Sequence, residues 1–147
     1  MIKKDSSKVT GSVNVVVRGE DGAVKQEFTV PNLVVDSGLD FIASRMEGTS
    51  DAIMSHMAIG TDNTAANSAD TALGAEVARV ALTSGIATSN AIAYVATFPA
   101  GTGTGALTEA GVLNAGSGGT MLCRTVFAVI NKGASDSMTV TWTVTIS

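Results

Sequence analysis

The segment Met138-Thr-Val-Thr-Trp-Thr-Val-Thr-Ile146 decides the fold. An apolar residue stands at every second position, with threonine between. In an extended chain successive side chains point to opposite faces, so Met138, Val140, Trp142, Val144 and Ile146 share one face and four threonines share the other. A period of 3.6 would scatter both sets, and β-branched valine and threonine suit a pleated surface. The segment is therefore a strand with one buried face. Its expected partner is Thr120 to Ile130, joined to it as a hairpin through the polar loop Asn131-Lys-Gly-Ala-Ser-Asp-Ser137.

Working outward, Ser12 to Arg18 reads as a strand with Val13, Val15 and Val17 on one face. Gly19-Glu-Asp-Gly22 supplies a turn, and Val24 to Val30 returns until Pro31, which cannot donate to a ladder. After the short extended piece Leu33 to Val35, a helix starts at Asp36 or Ser37, either of which can cap it, and stops at Gly48. Leu39, Ile42, Ala43 and Met46 fall on one side of it, either to plug one end of a β-core or to dock a partner.

Further strands are expected at Met54 to Gly60, Val77 to Thr83, Ala91 to Phe98 and Ala106 to Leu113, with a helix over Leu73 to Val80 as a competing reading. Thr61 to Asp70 reads as a loop, Ser84 to Asn90 as a connector and Pro99 to Gly105 as a hairpin loop. The fold class is all-β, a mainly antiparallel sandwich or barrel of jelly-roll-like kind, with one short helix near residues 37–46. A flexible arm over residues 1–10 precedes a single domain over 11–147.

With 147 residues one core suffices. Charged residues are only 15%, against the usual quarter, so a monomer would have a thinly protected surface and burial in an assembly is one response. A net charge of −4 argues against nucleic-acid binding. The one basic cluster, Lys3, Lys4 and Lys8, is a candidate partner-contact arm. No apolar run reaches the length of a membrane helix and no signal-peptide core follows the first residues, so a soluble protein without a cleaved export signal is expected.

Chemistry-bearing residues do not assemble into a motif. His56, the single histidine, lies in an apolar strand and reads as a hydrogen-bonded structural residue, and Cys123 as a packed thiol. One of each cannot build a zinc site. Gly101-Thr-Gly-Thr-Gly105 lacks the lysine of a phosphate loop. Asp62 and Asp70 do not fit an EF-hand register and read as solvated loop acids, and Glu76 and Glu109 are too far apart in sequence to pair as acid and base. No catalytic, cofactor or metal residue is expected.

Several phrases resemble a group of small virion proteins of tailed bacteriophages: Asn32 to Arg45, Met54 to Thr61, Thr71 to Arg79, Gly105 to Asn114 and Val129 to Ile146. The resemblance covers roughly residues 30 to 147, a similarity of phrases without a catalytic motif. It implies a non-enzymatic capsid decoration (cement) protein on the outer head surface, with a tail or tail-fibre component as the alternative. The implied partners are the major capsid protein and further copies of the chain, as a trimer, with no nucleic acid or membrane. The implied location is the virion, after synthesis in the host bacterial cytoplasm.

Overall fold

Residues 8–48 and 51–147 are described by a computed structural model. Among them, strands β1 (Val9–Arg18), β2 (Val24–Pro31), β6 (Ser84–Thr88), β7 (Ala91–Phe98) and β10 (Ser137–Ile146) form one antiparallel sheet, in the order β2-β1-β10-β7-β6. The second sheet holds β3 (Leu33–Val34), β4 (His56–Gly60), β5 (Glu76–Ala81), β8 (Gly105–Leu113) and β9 (Met121–Lys132), ordered β3-β9-β8-β4-β5. Two facing sheets make an all-β sandwich, and the core lies between them. The expected alternation holds in β10: Met138, Val140, Trp142 and Val144 are all 3% exposed or less, while the threonines are half-buried on the outside. Val13, Val15 and Val17 of β1 face the same core.

The expected hairpin between β9 and β10 does not form. β10 pairs with β1 and β7, whereas β9 pairs with β8 and β3 in the opposite sheet. Met121 to Thr125 of β9 are buried on both faces, which suits a strand flanked on each side and covered above and below. The apolar faces of β9 and β10 meet across the core instead of lying side by side. Pro99 to Thr104, read as a hairpin loop, likewise crosses between sheets, from β7 to β8.

Lys132 touches both arches. It is 1% exposed, and its Nζ donates to Pro99 O at 3.0 Å and Asp136 O at 2.7 Å. One buried ammonium therefore ties the two crossings together. Burial lowers its pKa, and the neighbouring Asp136 opposes that shift. Asp136 in turn accepts from Lys25 Nζ of β2 at 2.8 Å and from the Gly133 amide at 2.8 Å.

Other boundaries shift. Ser84 to Asn90 is not a connector: Ser84–Thr88 is strand β6, and Ser89, at φ 55, turns the chain into β7. Residues 76–81 are extended, not helical. β1 already starts at Val9, so Val9 and Thr10 belong to the sheet and not to an arm. Helix α1 (Asp36–Glu47) ends on Gly48 in the left-handed conformation, as expected. Its N-cap is Val35, which has no side-chain acceptor; Asp36 and Ser37, the expected caps, are instead the first two helical residues, and Ser37 Oγ donates to Met121 O at 2.9 Å. Its buried side is Gly38 and Phe41, while Leu39 is 44% and Met46 87% exposed. Gly38 sets that orientation: it lies so close to the Leu122 carbonyl that no Cβ would fit between them.

Candidate functional site

The densest polar chemistry sits on the outer face of the second sheet, under the loop of residues 61–75. Glu109 on β8 and Arg124 on β9 are diagonal neighbours, since Glu109 lies opposite Val126 and Gly111 opposite Arg124. Glu109 is fully buried and Arg124 is 2% exposed. Glu109 Oε1 accepts from the Gly74 amide at 2.9 Å and Arg124 Nε at 3.1 Å. Its Oε2 accepts from the amides of Asp62 at 3.0 Å and Ala75 at 2.8 Å. Arg124 also donates to Asp70 Oδ2 at 3.0 Å and Thr64 O at 3.2 Å, and lies 3.8 Å from Asp62 Oδ2.

Asp62 and Asp70 are therefore not solvated loop acids; they pin their loop to a buried guanidinium. Hydrogen bonds from Thr64, reinforced by Arg124, hold the Asp62 carboxyl below the ordinary carboxylate value. With four donors on its two oxygens, Glu109 has no lone pair directed at a substrate. It acts as a staple, and its charge is compensated in place. Leu73 from the same loop completes a small apolar cluster with Val35, Ala58, Leu113 and Met121. The second sheet thus carries a third layer of chain on its outside.

The remaining sequence candidates are dispersed. His56 is half-buried, with its Nδ1 2.8 Å from Ser55 Oγ. Cys123 is 0% exposed in the row Met57–Val112–Cys123, and burial pushes its thiol pKa up. His56 directly precedes Met57 and so points to the opposite face of the sheet, which rules out a Cys123–His56 nucleophile pair. Glu76 bonds Arg79 at 2.6 Å, and Arg79 also reaches Ala115 O and Gly118 O, so that pair fastens the turn between β8 and β9. Lys3 and Lys4 lie outside the described residues. Lys8 is exposed, and its backbone exchanges hydrogen bonds of 2.7 and 2.8 Å with Ser147. Among the described residues no helix is long and apolar enough to cross a membrane.

Two surfaces stand out among the described residues. The first is the outer face of the first sheet, which nothing described covers. Between Thr10 and Val16 on β1, Ala91 and Thr97 on β7, and Thr139 and Thr145 on β10, its outward side chains are Thr, Ser, Asn, Ala and Val, with no charge. The second is an apolar cleft between α1 and the inner side of β6 and β7. A cavity of about 180 Å³ is walled by Phe41, Ile42, Ile92, Tyr94 and Val144, and one of about 420 Å³ adjoins it past Ser84 and Gly85. Burial raises the Tyr94 phenol to about 12, so it stays neutral there.

No protein-family model, curated protein or solved structure matches the chain.

Proposed function

We propose that the chain is a non-enzymatic structural protein of a tailed-bacteriophage virion, a decoration protein that binds the major capsid protein and reinforces the outer head surface. The reading rests first on the resemblance of residues 30 to 147. The observation that supports it is the asymmetry between the two outer faces. One is sealed by a loop stapled through Glu109 and Arg124, and the other presents, across β1, β10 and β7, an uncharged strip of short side chains with Glu27 of β2 and Arg18 at its margin. Such a face can lie against a large neighbour without stranding charges, and the contact gains from repetition over a symmetric shell. A protein that binds only the assembled shell stabilises it by mass action. The resemblance implies a trimer, resident in the virion after synthesis in the bacterial cytoplasm, without nucleic-acid or membrane partners. Lys3, Lys4 and Lys8 would add an electrostatic contact to the same shell.

The alternative is a tail or tail-fibre component, and copy number separates the two. Quantitative mass spectrometry of purified virions against the major capsid protein should give hundreds of copies for a head protein. A few to a few tens would assign it to the tail, and none would reject the virion reading. The arm is tested by removing residues 1–7 only, because removal through Thr10 would cut into β1. Undiminished capsid binding by that truncation would eliminate Lys3 and Lys4 as a contact, and a Lys8→Ala variant tests the third lysine.

A further inference from the structure

We propose that the free edge of β6 and the apolar cleft beside it form one site, which takes an extended, uncharged peptide strand from another protein, with aliphatic side chains at alternate positions. Two independent observations meet here. The first is the edge itself. Among the described residues β6 hydrogen-bonds only β7, and none satisfies the outward backbone groups of Ser84 to Thr88. Edge strands are ordinarily protected by charge, proline or brevity. β2 carries Lys25, Glu27 and Pro31, β5 carries Glu76 and Arg79, and β3 is two residues long. β6, Ser-Gly-Ile-Ala-Thr, has neither charge nor proline, and Ile86 is 63% exposed.

The second observation is the cleft. Gly85 lies opposite Tyr94 and Ala87 opposite Ile92, so both face the inner side of the sheet, where they contribute almost no side chain. Ala87 opens on the cavity under Phe41 and Ile42, and Gly85 on the adjoining one, which Arg45 and Met54 also line. A strand added alongside β6 would continue the ladder, and its inward residues would project into that apolar space. Backbone pairing supplies affinity and the side-chain cavity selects what binds, as in β-strand addition. β6 carries no charge and the cavity that Ala87 lines is apolar, which disfavours a charged strand; Arg45, on the adjoining cavity, donates to Asp51 O at 2.8 Å. A second copy of β6 fits less well, because its own inward residues, Gly85 and Ala87, would leave the cleft empty. The inference does not depend on a virion role.

The test uses the full chain, labelled for amide NMR, titrated with acetyl-Thr-Leu-Thr-Leu-Thr-Leu-Thr-amide. Expected is saturable binding with shifts and new exchange protection at alternate residues of 84–88, and shifts at Ile92 and Tyr94. Replacing the central leucine by lysine, or N-methylating alternate peptide bonds, should weaken binding at least about tenfold each. The exposed-site variant Ala87→Leu, which fills the cleft from within, should do the same while melting normally. No saturable binding, or shifts confined elsewhere, would overturn the proposal. Shifts at 84–88 that grow with protein concentration in the absence of peptide would overturn it in favour of self-pairing.

Discussion

Replacing Glu109 by glutamine keeps the shape of the side chain and removes its charge, which isolates the staple. The fully buried carboxylate receives four donors: Arg124 Nε and the amides of Asp62, Gly74 and Ala75. Glutamine has one acceptor oxygen, so its amide nitrogen must face either the guanidinium and the Gly74 N–H or the N–H groups of Asp62 and Ala75. Donor then opposes donor in a buried place, and Arg124 keeps only the partly exposed Asp70 and Asp62 as counter-ions. Breaking one partner of a buried ion pair costs about 3–5 kcal/mol. In a chain of this size each kcal/mol moves Tm by roughly 2–4 °C, so Glu109→Gln should lower Tm by about 6–20 °C. Urea unfolding followed by circular dichroism gives the free energy, and amide exchange at Asp62, Gly74 and Ala75 reports the loop directly. Adding Arg124→Met should cost less than the sum of the single losses, because neither charge is then stranded. A loss below about 1 kcal/mol with unchanged exchange at those three amides would refute the staple.

Gly38→Ala should destabilise by about 1–3 kcal/mol or more despite alanine's better helix propensity, because the added Cβ meets the backbone carbonyl of Leu122; a chemical melt shows the sign. Trp142→Ala should cost about 3–5 kcal/mol. Trp142→Phe should cost clearly less, since the buried indole N–H has no partner to lose, and equal losses in the two denaturation curves would contradict that ranking. Asp62 and Asp136 both have lowered folded pKa values, so their stabilisation is present above the unfolded carboxylate pKa of about 3.9 and is lost as pH falls through the folded values. Tm should therefore hold from neutrality to about pH 5 and fall below about pH 4, a decline that a scan of Tm against pH would reveal.

Strands with a strict two-residue period were legible in the sequence, because alternation alone fixes which side chains face inward. β1 and β10 are the examples, and the glycine stop of α1 was equally plain. Which sheet a strand joins was not legible. A polar loop announces a change of direction without saying whether the chain returns beside itself or crosses the core, and the buried lysine that ties the two crossings together, Lys132, shows its partners only in the folded chain. β6 was hidden because Ser-Gly-Ile-Ala-Thr has the composition of a linker. The Glu109–Arg124 staple did leave a signal: one charge inside each of two consecutive apolar runs, of opposite sign. Its other participants, Asp62 and Asp70, lie in a loop distant in sequence, which hides the cluster. On α1 hydrophobicity ranks Leu39 and Met46 above Gly38, whereas close approach to Leu122 favours the residue with no side chain, so of the expected face Ile42 packs on the core while Leu39 and Met46 are exposed.

The place of β10 also sets when the molecule can be completed. It is the last of the described strands to be made, yet it lies in the middle of its sheet, between β1 at the other end of the chain and β7. Until it emerges from the ribosome, β1–β2 and β6–β7 are separate hairpins, each with an apolar face and an unpaired edge. Chaperone occupancy and losses to aggregation should therefore be greatest for nascent chains stalled just before Ser137, and should fall once the threonine strand joins the two hairpins.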